Sequence, residues 1–144
     1  MFHGLNSYMD HGAHIAHALA SIGFITVGFD HRGFGRSPGE RAYVESLESH
    51  IYDAFSFTKK VRSLYPNLPA FALGLSMGGM TSYYLSLRNK NLFKGVILMA
   101  PAIKNIVNKN LVGIVNGLGS ILHSKFKLPF TPPSGQATRN PKIT

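Results

Sequence analysis

The sequence predicts an α/β fold, a parallel sheet with helices on both faces. Three features carry that expectation. Short β-branched and aromatic runs lie at 24 to 29, 70 to 75 and 95 to 100; apolar residues between them recur at helical spacing; and glycine-rich turns stand where the two patterns meet. Strands separated by helices call for right-handed crossovers, and crossovers give a parallel sheet covered on both sides.

The elements follow in chain order. In YMDHGAHIAHALAS, 8 to 21, the apolar positions Ile15, Ala16 and Leu19 share a helical face and Gly23 stops them. FITVGF, 24 to 29, reads as a strand buried on both faces. DHRGFGRSPGER, 30 to 41, is a glycine-rich loop. A long helix is predicted over 43 to 64, with Val44, Leu47, Ile51, Ala54 and Val61 on one face; YPNLP ends it, because proline lacks the donor that would continue it. AFALGL is the second strand, 77 to 89 a helix, and GVILMA the third strand.

Composition sets the class. With 144 residues, 44% hydrophobic and 15% charged, the chain suits a globular protein rather than a disordered one. If compact, it buries roughly 70% of its unfolded surface. The absence of cysteine excludes disulfides and thiolate metal sites. All six acids lie before residue 54, while twelve of the fifteen Lys and Arg follow it. Such a basic half suits an anionic membrane surface or is simply solvated. No basic run interleaved with aromatics and no zinc spacing points to nucleic acid, so no nucleic-acid partner is expected. The start, MFHGLNSYMDHG, lacks a charged leader before an apolar stretch, and no run reaches the roughly 18 apolar residues of a membrane span. A cytoplasmic or membrane-peripheral setting is the expectation.

The chemistry concentrates in Gly74-Leu75-Ser76-Met77-Gly78, a G-x-S-x-G pattern between a predicted strand and a predicted helix. There a sharp turn holds the serine in a strained backbone conformation and lifts its hydroxyl above the sheet, and the glycines are required because strand and helix come too close for side chains. Ser76 is the candidate nucleophile. Met77 opens the helix, so its amide is unpaired and can stabilise an oxyanion. FHGLNSY, 2 to 8, offers a second donor, the amide of Leu5.

Four stretches, FHGLNSY, GFDHRGFGRSPGER, YPNLPAFALGLSMGGM and GVILMAPAI, taken in this order and spacing, resemble the α/β-hydrolases. They look like the monoacylglycerol lipase and lysophospholipase-like group, also called serine aminopeptidase-like. The resemblance covers about residues 2 to 102. It implies Ser76 as nucleophile, Leu5 and Met77 as oxyanion-hole amides, Gly74 and Gly78 as elbow glycines, and a structural role for Asp30-His31 in the loop after the next strand. It implies no cofactor, no metal, and a lipid ester of the monoacylglycerol or lysophospholipid class as substrate. Leu75 departs from the histidine many relatives carry there.

A serine nucleophile also needs an imidazole oriented by a carboxylate. His11, His14 and His17 are spaced by three on the first predicted helix but have no HExxH pattern or carboxylate pair, and read as a solvated face. After Ser76 there is no acid, and the only histidine is His123. The expectation is therefore an incomplete α/β-hydrolase core, residues 1–102, inactive alone, with acid, base and last strands beyond Thr144. A non-catalytic fragment or pseudoenzyme that binds lipid or a protein partner is the alternative. In residues 103–128 apolar positions alternate with Asn, Gly and four lysines, suiting an amphipathic element and contact with an anionic membrane, and the resemblance implies that a lid begins there. Residues 129–144, rich in proline, read as an irregular tail.

Overall fold

The computed structural model describes residues 1–103. A 3-10 turn, Met9–Gly12, leads into helix α1, Ala13–Ser21; then come α2, Leu47–Leu64, β1, Phe71–Leu75, α3, Met77–Arg88, and β2, Gly95–Met99. β1 and β2 pair in parallel, Phe71 opposite Gly95 and Leu75 opposite Met99, with α3 as the crossover between them. On the other side of β1, Phe2 bridges Gly74, also in parallel. The chain before the 3-10 turn and the two strands thus form three neighbouring tracks whose carboxy ends converge at one edge.

Burial follows the strand period. Ala72 and Gly74 turn to the covered face, and the core there joins Phe2, Ile51, Ala54, Ala72 and Leu85, contributed by two of the tracks and two helices. Fully burying a leucine such as Leu85 contributes about 1.5–3 kcal/mol. α2 presents His50, Ile51, Ala54 and Thr58 to this core, an i, i+4 stripe. Arg88 clasps Glu48 through two hydrogen bonds, linking α3 to α2, and Arg32 does the same to Asp53, linking the glycine-rich loop to α2. These pairs are exposed and fix orientation more than they stabilise.

Several expectations change. The run at 24 to 29 forms no ladder. The Met1 amino group bonds to the Val27 carbonyl at 2.6 Å, and Phe24 and Ile25 are 50% and 55% exposed. β-propensity becomes a strand only where a neighbour pairs along its length, and the track beside this run reaches it at Met1 alone. On the second face of the sheet Phe71 and Leu75, at the ends of β1, are exposed and Leu73 between them is half-buried. The long helix starts at Leu47, not residue 43, because Ala42 has a positive φ of 59° and the extended Ser46 caps the helix, its Oγ accepting the Ser49 amide at 3.0 Å. Val44 and Leu47, placed on its buried face from sequence, are exposed at the periphery. The predicted lid, apart from Ile103, and the tail lie outside the described residues. Within the described residues no helix is long and apolar enough to cross a membrane.

Candidate active site

β1 runs straight into α3 through Ser76, and the turn is as tight as its glycines imply. Ser76 adopts φ 53° and ψ −113°, a region that non-glycine residues rarely occupy. Three backbone bonds hold it there: its amide donates to the Met99 carbonyl at 2.9 Å, and its carbonyl accepts from Met80 at 3.0 Å and from Ala102 at 3.1 Å. A Cβ on Gly74 would strike the Gly78 carbonyl and the Ser82 hydroxyl, and one on Gly78 would strike the carbonyls of Phe2 and His3. The elbow glycines therefore permit two contacts, strand on helix and helix on the amino-terminal track.

Leu5 is brought to the same place. Gly4 packs over the elbow, so that a Cβ there would stand 3.4 Å from both the Ser76 Cβ and the Leu75 carbonyl. The turn that follows is closed by the Ser7 amide bonding to the Gly4 carbonyl at 3.3 Å, with Asn6 at a φ of 55°. Met77 begins α3, where an amide has no intrahelical acceptor. Among the described residues neither the Leu5 nor the Met77 amide is donated to a protein acceptor. Two free backbone donors thus flank one half-buried serine whose hydroxyl caps nothing. That is the arrangement that stabilises negative charge developing on a carbonyl oxygen attacked by the serine.

Beneath this site lies a cluster that sequence reasoning missed. His3, His31 and His50 are all buried, with the ring of His31 4.4 Å from that of His3 and 4.3 Å from that of His50. Phe2 and Phe29 complete the packing around His31. Burial pushes His31 down to about 2, reinforced by His50 and His3 beside it. Burial likewise lowers His3 and His50 below the ordinary histidine range. The rings meet at tilts of 57° and 42°, and no group of metal-ligating side chains is found among the described residues. A signal was present for His50, which precedes Ala54 by one helical turn on the stripe facing the core; His3 and His31 carried none.

Asp30 belongs to the loop's framework. Burial raises its carboxyl, but the amides of Arg36 and Met9 donate to it at 2.8 and 2.7 Å and hold it below the usual carboxylate range. A cavity of about 380 Å³ lined by Phe24, Val27, Phe57, Phe71 and Phe93 opens at the amino ends of the strands and touches none of Leu5, Ser76 or Met77. It is not the site of the chemistry. His11, His14 and His17 are exposed, as their spacing suggested.

The profile of the family described as serine aminopeptidase, S33, matches residues 1–143. The chain belongs to that family. Relatives of this S33 chain include a monoglyceride lipase homolog of monkeypox virus, 32% identical, and the monoglyceride lipase of Mus musculus, 30% identical, covering 83% and 70% of this chain. A monoacylglycerol lipase of Mycolicibacterium smegmatis is 28% identical over 83% of it. The S33 chain spans 42%, 33% and 43% of those relatives' lengths. Among solved structures, the monoacylglycerol lipase of Paleococcus ferrophilus superposes with a TM-score of 0.69 at 25% identity, over 84% of this chain and 46% of that one. The α/β-hydrolase resemblance and the incomplete α/β fold class both hold.

Proposed function

We propose that this S33 protein is a serine hydrolase that cleaves carboxylic esters of lipids, of the monoacylglycerol or lysophospholipid class, through an acyl-enzyme on Ser76. The observation that carries the reading is the strained Ser76 set between the free amides of Leu5 and Met77. The names of the relatives, monoglyceride and monoacylglycerol lipases, support the substrate class.

In this reading the Ser76 Oγ adds to the ester carbonyl as its proton passes to an imidazole, and the carbonyl oxygen becomes an oxyanion held by the two amides. Collapse expels the alcohol, which takes up the proton, and water then repeats the sequence to release the fatty acid. Each oxyanion donor contributes about 10²–10³ in turnover. Among the described residues no imidazole is hydrogen-bonded to the Ser76 hydroxyl, and the sequence after Ser76 contains His123 but no Asp or Glu.

A fluorophosphonate probe applied to the full-length protein should label Ser76, and Ser76→Ala should abolish the adduct and lower ester turnover by about 10⁶. An adduct that persists in the alanine variant would move the nucleophile elsewhere.

A further inference from the structure

The buried histidines make opposite hydrogen bonds to the two walls of the elbow, and their tautomers follow from those bonds. The His31 amide donates to the His3 Nε2 at 2.9 Å, so that nitrogen is bare. The proton of His3 is on Nδ1, and Nδ1 donates to the Gly4 carbonyl at 2.8 Å. On the other wall the Thr81 hydroxyl donates its only proton to the Met77 carbonyl at 2.9 Å, so the His50 Nε2, 2.8 Å away, is the donor to Thr81. His3 and His50 thus carry their protons on different nitrogens, His3 fixed by two backbone partners and His50 by the Thr81 hydroxyl.

The bond to Gly4 reaches the site directly. The Gly4 carbonyl and the Leu5 amide are two ends of one planar peptide unit, held anti to each other. Pinning the carbonyl toward His3 therefore aims the Leu5 N–H away from the buried cluster. Gly4 has no side chain to restrict this peptide, and the turn bond from Ser7 is long at 3.3 Å. His3 is the shorter and more buried of the two restraints.

We propose that His3 is a positioning residue of the hydrolase, its Nδ1–H tautomer orienting the Leu5 amide as an oxyanion donor, with His31 fixing that tautomer through its own backbone amide. The inference rests on the functional reading above. His3 never touches substrate; it acts through the Gly4–Leu5 peptide.

The test separates the donor from the ring. An asparagine places an amide nitrogen near the imidazole Nδ1 and can donate to Gly4, whereas phenylalanine fills the space and donates nothing. In the full-length protein, His3→Phe should lower kcat on a short-chain monoacylglycerol by about tenfold to a hundredfold, a part of what losing an oxyanion donor costs, with KM little changed. His3→Asn should recover most of it. A kcat indifferent to His3→Phe, or an asparagine variant as slow as the phenylalanine one, overturns the proposal. Should either variant misfold, ¹⁵N-resolved NMR of the imidazoles in the wild-type protein decides: a proton on His3 Nε2 overturns it, one on Nδ1 supports it. Ester turnover that survives Ser76→Ala sinks the hydrolase reading itself and this role with it, whereas turnover lost with Ser76→Ala but unmoved by His3→Phe sinks this role alone.

Discussion

Ser76 combines two demands that usually separate. As the proposed nucleophile it needs a hydroxyl; as the residue at φ 53° and ψ −113° it would be better as glycine. Holding a side chain in such a region costs about 1–3 kcal/mol, and the conformation persists because surrounding structure over-determines it. Here the restraints are the bonds to Met99, Met80 and Ala102. Ser76→Gly and Ser76→Ala both remove the hydroxyl, but only glycine relieves the strain. Chemical denaturation should therefore find the glycine variant more stable than the alanine variant by about 1 kcal/mol, after glycine's own entropic disadvantage of roughly 0.5–1 kcal/mol. Equal stabilities would mean that the elbow stores no strain. The serine was legible in the sequence because everything that marks it, glycines two residues to either side and an apolar run before it, lies within one turn of chain. The histidine cluster was not, because it joins His3 to His31, 28 positions on, and His31 to His50 further along still, and only folding sets them ring to ring.

At the scale of elements, legibility tracked the range of the cause. α3 and β1 sit within a residue of their expected limits, since a glycine-rich turn and an i, i+4 pattern fix them locally. The start of α2 moved because a serine cap outweighed helical periodicity in Tyr43 and Val44, a competition the apolar pattern alone does not display. The run at 24 to 29 shows the limit most plainly: its composition is that of a strand, yet strand identity belongs to pairs of segments. Close approach between elements was legible through glycine, and it can be tested. In Gly78→Ala the new methyl meets the backbone carbonyls of Phe2 and His3, which cannot swing aside, so α3 must part from the amino-terminal track. Such overpacking should cost about 1–3 kcal/mol by denaturant unfolding. Gly12→Ala is the contrast, since its methyl meets only the flexible end of Met1 at 3.3 Å and its φ of −94° suits alanine. A Gly78→Ala protein no less stable than Gly12→Ala would show that the elbow tolerates a wider spacing.

For the molecule as a whole, the buried histidines set how stability depends on pH. His3, His31 and His50 all titrate below their ordinary value of 6.5 in the folded chain, His31 as low as about 2, with burial the leading cause in each. The charged groups that bear on them are few: Asp30 and His11 on His3, Asp53 on His50, and the Met1 amino group on His31. A folded value below the unfolded one means that stability is fully present above about pH 6.5 and is lost as pH falls, because the unfolded chain takes up protons the folded chain refuses. Each such group withdraws about 1.4 kcal/mol per pH unit below that point for as long as it stays neutral in the fold. Burial also lowers the Met1 amino group from 8.0 to about 6, so thermal unfolding should give a Tm that begins to fall below about pH 8 and falls more steeply from about pH 6.5 toward pH 5. His31 makes the claim specific, for it is buried and both of its ring nitrogens lack a partner among the described residues. An unpartnered buried polar group costs about 1–3 kcal/mol, so replacing it with an apolar ring of similar shape removes a penalty as well as a titration. His31→Phe, whose backbone amide still bonds to His3, should match or exceed the wild-type Tm at pH 7 and show a shallower acid fall. A variant that is less stable at pH 7 with an unchanged acid fall would mean that His31 is stabilised by charge or by a partner, and that the acid sensitivity arises elsewhere in the protein.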